Sequence, residues 1–172
     1  MQAEHYNGLI AVWKEQGYTS HDVVAKLRGI LHQKKIGHTG TLDPQAQGVL
    51  AVGLGLGTKT FDLLPDHWKT YEAEVTFGVQ TDTEDIWGNI LKTHDVSKTP
   101  EEIIQAICSF VGTYDQIPPM YSAKKIDGKK LYQLAREGKI VERKAVPVTL
   151  KDIQVLSVKD NKARFIVTCS AG

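Results

Sequence analysis

The sequence predicts an α+β fold, with a mixed, mostly antiparallel sheet flanked by helices. Two segments near its end, Val146 to Val158 and Lys162 to Cys169, have strand character and are separated by Asp160-Asn161, a pair suited to a tight turn. Two other segments, one from about Ser20 to His32 and one opening at Thr99, combine a helix-start signal with apolar residues at helical spacing. Strands and helices do not alternate strictly, which favours α+β over a parallel α/β sheet.

Leu9-Ile10-Ala11-Val12-Trp13 reads as a short buried strand. In the first helix Thr19 and Asp22 have capping-box-like spacing, Ser20 is an alternative N-cap, and Val23, Val24, Leu27, Ile30 and Leu31 form the apolar stripe. Gly37 to Gly48 breaks both periods and reads as a loop. Val49 to Val52 reads as a second buried strand. From Thr70 to Phe77 the pattern alternates, with Tyr71, Ala73, Val75 and Phe77 on one face, as a half-exposed strand requires. Thr99-Pro100-Glu101-Glu102 opens the second helix with a capping box and proline in the first turn; Ile103, Ile104, Ile107, Phe110 and Val111 give it a core face, and Gly112 is expected to end it. Gln116-Ile117-Pro118-Pro119 cannot be helix interior. Leu131, Leu134 and Ala135 predict a short helix stopped by Gly138.

The 172 residues correspond to one domain, or to one domain and part of another. With 41% hydrophobic and 24% charged residues, wholesale disorder is excluded. No apolar run approaches the ~20 residues of a membrane span, and Met1 to His5 has no secretory signal character. Cys108 and Cys169 have no metal-site spacing and read as reduced core thiols of a cytoplasmic protein.

Net charge is +1, but its distribution is uneven. From Tyr121 to Pro147 the basic residues Lys124, Lys125, Lys129, Lys130, Arg136, Lys139, Arg143 and Lys144 outweigh Asp127, Glu137 and Glu142, giving +5 and leaving −4 elsewhere. Such a segment is either a nucleic-acid contact or a solvated helix with its flanks. The glycine run Gly53-Leu54-Gly55-Leu56-Gly57-Thr58-Lys59 is neither a Walker A motif, which needs glycine directly before lysine, nor a dinucleotide fingerprint, which needs GxGxxG. The six histidines form no HExxH, so nothing supports a metal site.

Gly37-His38-Thr39-Gly40-Thr41-Leu42-Asp43-Pro44 is the segment most suited to chemistry. Pro44 biases Asp43 toward an extended or turn backbone, and Gly40 and Gly48 allow close approach of a ligand. The loop is either a presenter of one carboxylate and one imidazole or a plain Asp-Pro turn.

This stretch, continued through Gln45-Ala46-Gln47-Gly48-Val49-Leu50, closely resembles the catalytic motif of TruB-type tRNA pseudouridine synthases. Matches in the same order extend over nearly the whole chain: Gly17-Tyr18-Thr19-Ser20; Lys34-Lys35; Lys69-Thr70-Tyr71; Gly78-Val79-Gln80-Thr81-Asp82-Thr83-Glu84-Asp85; and Gln116-Ile117-Pro118-Pro119-Met120-Tyr121-Ser122-Ala123. The resemblance implies a pseudouridine synthase fold and isomerisation of uridine to pseudouridine in the T stem-loop of tRNA (position 55). Asp43 aligns with the catalytic aspartate, His38 with the histidine that helps hold the flipped-out RNA, and Tyr71 with the tyrosine that stacks on the target base. The segment from Tyr121 to Pro147 aligns with an insertion that contacts the T stem-loop. On that basis Lys59, Lys69, Lys124, Lys125, Lys129, Lys130, Arg136, Arg143 and Lys144 are candidate RNA contacts. The reaction rearranges atoms of its substrate, so no cofactor and no metal is expected. The expected partner is tRNA, with no membrane involved and a monomeric enzyme.

Two departures from the family pattern stand out. Glu15 replaces the proline usual after Lys14, which should alter a local bend. The chain also stops at Cys169-Ser170-Ala171-Gly172, where the family continues into Thr-Tyr-Ile-Arg, and the family's C-terminal PUA domain is expected to be absent. The expectation is an incomplete catalytic domain spanning 1–172, weakly active or inactive alone. The alternatives are a non-catalytic RNA-binding module and a carboxylate hydrolase using His38 and Asp43; nothing supplies the oxyanion hole or metal the latter needs.

Overall fold

A computed structural model describes residues 6–63, 68–122, 124–126 and 128–170, with the side chains of Lys125, Lys130 and Arg136 outside the described set. The chain divides into two compact units, residues 1–66 and 67–172. Every strand pairing among the described residues is antiparallel.

The first unit runs β1 (Gly8–Lys14), α1 (Ser20–Leu31), β2 (Ile36–Thr39) and β3 (Gly48–Leu54), followed by 3-10 turns at Gly55–Lys59 and Phe61–Leu63. Its sheet has the order β1-β3-β2. In β1 burial alternates, with Ile10, Val12 and Lys14 inward and Leu9, Ala11 and Trp13 outward. The uniformly buried strand expected there is therefore corrected: Leu9 is 45% and Trp13 57% exposed, and in β3 Val49 is 65% exposed. One face of this small sheet is covered by α1. Val24, Ile36, Leu50, Val52 and Leu54 form the core, with Ile10, Val12, Val23, Leu27 and Leu31 packed on it. Each fully buried Val or Leu there contributes about 1.5–3 kcal/mol relative to exposure. Ile30, assigned to the stripe by spacing, is 64% exposed at the helix end.

Helix α1 begins where the sequence requires. Thr19 Oγ1 accepts from the Asp22 amide at 3.0 Å, and the Asp22 carboxylate accepts from the Thr19 amide at 2.8 Å. Its last turn closes on His32 in left-handed backbone (φ 49°). The segment Gly37 to Gly48 is not wholly loop, because Gly37, His38 and Thr39 belong to β2 and pair with Gly53, Val52 and Ala51. The sequence pattern missed this strand because its short, glycine-containing run shows no period.

The glycine run after β3 is explained by packing. A side chain on Gly57 would meet the Gly8 carbonyl, and one on Gly55 the Asn7 side chain. The Asn7 side-chain oxygen accepts from the Leu56 amide at 2.7 Å. The turn is thus held against the start of β1.

The second unit runs β4 (Lys69–Thr76), β5 (Val79–Thr81), β6 (Ile90–Thr93), α2 (Pro100–Cys108), β7 (Gly112–Gln116), β8 (Lys125–Ile126), β9 (Lys129–Lys130), α3 (Leu131–Arg136), β10 (Val146–Lys159) and β11 (Lys162–Cys169). Its main sheet has the order β4-β11-β10-β7; β5-β6 and β8-β9 are separate hairpins. Asp160 (φ 52°) and Asn161 (φ 58°) make the two-residue turn predicted between the long strands, with the successive positive φ values of a type I′ hairpin. Helix α2 covers one face of the sheet: Ile103 and Ile107 pack with Ala163, Val75, Phe77, Val155 and Phe165. The opposite face carries Glu72 paired with Arg164, Glu74 with Lys162 at 2.8 Å, and Thr70 with Thr168 at 2.9 Å.

Three expectations need correction here. Helix α2 ends at Cys108, with Ser109 as its cap, and Gly112 instead opens β7. Phe110 and Val111 are 57% and 47% exposed, because the helix has ended before them. Cys108 is exposed and Cys169 partly buried, both free, so Cys108 is not a core thiol.

The capping box makes a pH-dependent contribution. The hydroxyl and amide of Thr19 hold the Asp22 carboxyl below its usual value of 3.8. A depressed folded value means the stabilisation is full above the unfolded value and is lost as pH falls through the folded one. Thr19→Ala should cost about 1 kcal/mol near neutral pH. Urea unfolding followed across the carboxylate range should show the variant's deficit shrinking as Asp22 protonates.

Candidate active site and RNA-contacting residues

The loop from Gly40 to Gln47 carries Asp43, and three separate pieces of the first unit hold it. Lys14, at the end of β1, is 0% exposed. Its ammonium donates to the carbonyls of Tyr18 at 2.7 Å, Glu15 at 3.1 Å and Pro44 at 3.4 Å. An ammonium has three donors, and here each meets a carbonyl. The Gly17 amide donates to the same Pro44 carbonyl at 2.7 Å. Ser20, buried at the start of α1, accepts from the Leu42 amide at 3.0 Å and lies 3.2 Å from the Leu42 carbonyl. The turn closes on itself through the Ala46 amide and the Asp43 carbonyl at 3.0 Å.

Asp43 therefore sits between two anchored neighbours, Leu42 and Pro44. Its carboxylate is exposed and makes no hydrogen bond or ion pair with described residues of its own unit. The backbone is fixed while the side chain stays available, as a reacting carboxylate needs. His38, half-buried in β2, has Nδ1 2.6 Å from the Gly40 carbonyl. A carbonyl only accepts, so Nδ1 is the donor in this contact, which fixes the orientation of the ring. Lys59 is exposed at the end of its 3-10 turn.

Lys14, Gly17 and Ser20 were not among the candidates read from the sequence. The signal for Lys14 was present: it is in phase with Ile10 and Val12, so period-two alternation places it on the buried face. Reading the apolar run as uniformly buried concealed this. Lys14 also shows why Glu15 is tolerated, since the contact made at that position uses the Glu15 backbone carbonyl.

The second unit holds the remaining candidates. Tyr71 lies on β4, half-buried, opposite Val167 and on the face that α2 covers further along the strand. Lys69 begins the strand opposite Cys169; burial pushes the Cys169 thiol up, against a smaller opposing effect of the Lys69 ammonium.

The basic segment is less uniformly available than its charge suggests. Leu131 and Leu134 anchor α3, and Gly138 (φ 70°) ends it as predicted. Lys139 pairs with Glu137 at 2.7 Å, and Lys129 lies 3.8 Å from the same carboxylate. Those contacts hold Glu137 below the usual carboxylate range, the Lys139 hydrogen bond first. Arg143 is partly buried and donates from Nη1 to the Pro118 carbonyl at 3.0 Å. Lys124 and Lys144 are exposed and have no ion-pair partner among the described residues. No cluster of three or more His, Cys, Asp or Glu able to hold a metal, and no helix long and apolar enough to cross a membrane, occurs among the described residues.

Residues 28–172 match the model of the TruB family pseudouridylate synthase N-terminal domain. The chain belongs to this family. It is 51% identical over 166 residues to the tRNA pseudouridine synthase B of Alkaliphilus oremlandii, covering 96% of this chain and 56% of the relative. It is 47% identical over 173 residues to that of Staphylococcus aureus, covering 97% and 57%. Among solved structures it is similar to one of a Cbf5-Nop10-Gar1 complex, with a TM-score of 0.70 and 30% identity over 96% of this chain and 40% of that one. It is also similar to an H/ACA RNP bound to a substrate RNA containing 2′-deoxyuridine, with a TM-score of 0.65 and 27% identity, covering 96% and 38%. The chain thus spans about half the length of the curated TruB relatives it matches.

Anchoring by Lys14 is testable. Lys14→Met keeps the apolar stem and leaves three carbonyls without their donor, so stability should fall by about 1.5–3 kcal/mol, the range for hydrogen bonds to a charged group. Denaturant unfolding measures the loss, and amide exchange should rise first at Leu42 and Ala46 rather than in β10 or β11.

Proposed function

We propose that this chain forms the N-terminal part of the catalytic domain of a tRNA pseudouridine synthase. The enzyme converts uridine to pseudouridine in the T stem-loop of tRNA, as a cytoplasmic monomer. The observation that carries this reading is the Asp43 loop, whose flanking residues are pinned by Lys14, Gly17 and Ser20 while its carboxylate faces outward without a partner in its own unit. Family membership and the names of the relatives support it.

The reaction breaks the N1–C1′ glycosidic bond, turns the uracil and forms a C5–C1′ bond. The C5 hydrogen leaves to solvent and N1 takes up a proton. Stacking hides both C1′ and the base edge, so the nucleotide is extruded first, at a cost of a few kcal/mol. Tyr71 offsets part of this by stacking, worth about 1–3 kcal/mol per base. His38, held by its Gly40 contact, braces the extruded RNA. Asp43 is the essential carboxylate for bond cleavage. Lys124 and Lys144 serve as phosphate contacts, which position RNA without reading its sequence.

Two measurements test this reading. The catalytic assay uses the chain continued with the part of the Alkaliphilus oremlandii relative beyond the match. Asp43→Asn should lower tritium release from tRNA labelled at uridine C5 by roughly 10²–10⁴-fold or more, with RNA affinity little changed. Full turnover by this variant would remove Asp43 from the mechanism, and RNA binding with no turnover by the parent would favour the non-catalytic module. In RNA binding measured against salt, Lys124→Ala and Lys144→Ala should each reduce the slope of log affinity by about 1. Lys129→Ala, already shared with Glu137, should reduce it less.

A further inference from the structure

Within the second unit, the connection between β5 and β6 runs from Asp82 to Asn89 and is tied to itself from several sides. The Asp82 amide donates to the Asn89 carbonyl at 3.2 Å, and the Asp82 carboxylate accepts from the Asn89 amide at 2.8 Å and from its side-chain nitrogen at 3.0 Å. Asp85 closes a smaller turn inside this loop. One of its carboxylate oxygens accepts from the Thr83 hydroxyl at 2.7 Å and from the Trp87 amide at 2.8 Å, and its carbonyl accepts from the Thr81 hydroxyl at 2.7 Å. A side chain on Gly88 would collide with the Thr83 hydroxyl and the Asp82 carboxylate. An aspartate bonded to the amide two residues on holds a turn in one shape. The backbone that carries Trp87 is therefore fixed before any ligand arrives.

What this turn displays is apolar. Ile86 is 71% and Trp87 60% exposed. Trp68, by contrast, lies beneath the Lys151 ammonium, 5.4 Å from its ring centre, whereas the Trp87 ring meets no other ring and no cation among the described residues. An indole held in water by a rigid turn gains little for the fold, but an aromatic anchor fixed in advance loses little entropy when it binds. The turn also abuts the basic segment: Thr83 and Glu84 line the same cavity as Tyr121 and Arg143. The indole is thus displayed beside the +5 stretch from Tyr121 to Pro147, which suits a polyanion. Its own neighbours Glu84 and Asp85 are acidic and would repel a phosphate brought against the ring. The contact on offer is to an uncharged ring of that polyanion.

We propose that Trp87 stacks on an unpaired base of the bound RNA, other than the uridine carried by Tyr71. Every base has a π face, so the contact is tolerant of sequence and selects instead for a base free of its duplex. Ile86, its neighbour in the turn, extends the apolar surface. Phosphates flanking that base fall to the lysines of the basic segment. The inference rests on the proposed action on RNA. It gives the turn between β5 and β6 a part in holding the substrate that neither Asp43 nor Tyr71 supplies.

The test is binding of the T stem-loop RNA to the 172-residue protein, with a fully paired duplex of the same stem as control. Trp87→Ala should weaken stem-loop binding by about 5- to 150-fold, the loss of one stacked base, and Trp87→Phe should keep most of the affinity. The slope of log affinity against log salt should stay as it is, because no phosphate contact is removed. In a protein carrying Trp13→Phe and Trp68→Phe, fluorescence of the remaining indole should be quenched by the stem-loop and far less by the duplex. Amide NMR shifts outside residues 82–89 should not move in either Trp87 variant, since the side chain is largely exposed. Unchanged affinity in Trp87→Ala would overturn the proposal and leave the turn to a protein partner. A slope lowered by about 1, or equal quenching by the duplex, would overturn it as well. A protein that binds RNA through Trp87 but makes no pseudouridine would refute the enzymatic reading alone. Pseudouridine formation with an RNA affinity indifferent to Trp87→Ala would refute this inference alone.

Discussion

The first unit depends on one buried charge. Removing an ammonium from water costs several kcal/mol unless its donors are satisfied. Lys14 meets that condition only if the carbonyls of Glu15, Tyr18 and Pro44 converge on it. Their convergence sets the path of two chain segments at once: the turn from β1 into α1, and the loop that carries Asp43. Gly17 and Ser20 then add an amide and a hydroxyl on either side of the aspartate. The carboxylate is left exposed because everything around it is fastened through backbone, not through its own oxygens. Its position therefore costs it no hydrogen-bonding capacity.

The second unit relies on apolar burial on one face of a twisted sheet. Ala163 is 0% exposed beneath α2, while the opposite face carries threonine pairs and the Glu72–Arg164 and Glu74–Lys162 ion pairs. Exposed pairs of this kind contribute little each, so the core residues Ile103, Ile107 and Phe165 carry the stability and the pairs chiefly fix register. The basic segment follows the same logic. Its short helix is held by Leu131 and Leu134, and the charges around it divide into those neutralised by Glu137, that of Arg143 turned toward Pro118, and those left to solvent. A count of lysines and arginines overstates the field such a segment presents to a polyanion.

The elements with strong local codes were legible. Both capping boxes start their helices as read, Gly138 ends α3, and Asp160-Asn161 turns the long hairpin, because each rests on contacts within a few residues. The elements misread were those without a local code. Strand β2 carries a glycine and only four residues, so it shows no period, and its existence depends on pairing with β3. Gly112 was read as a helix stop although α2 had already ended at Cys108.

The α+β class, the ends of the strongest elements and, through the motif around Asp43, the family are readable from the order of residues alone. These follow from local propensity, from periodicity and from a run of residues readable in order. That Lys14 is buried, that Ser20 reaches Leu42 and that the Arg143 Nε is left without a partner emerge only once the chain has folded. One cause underlies all three. The energy of a buried polar group depends on which donors and acceptors the fold brings within three or so ångströms of it. Residues 22 to 30 positions apart in the chain meet there only once the strands and helices have packed.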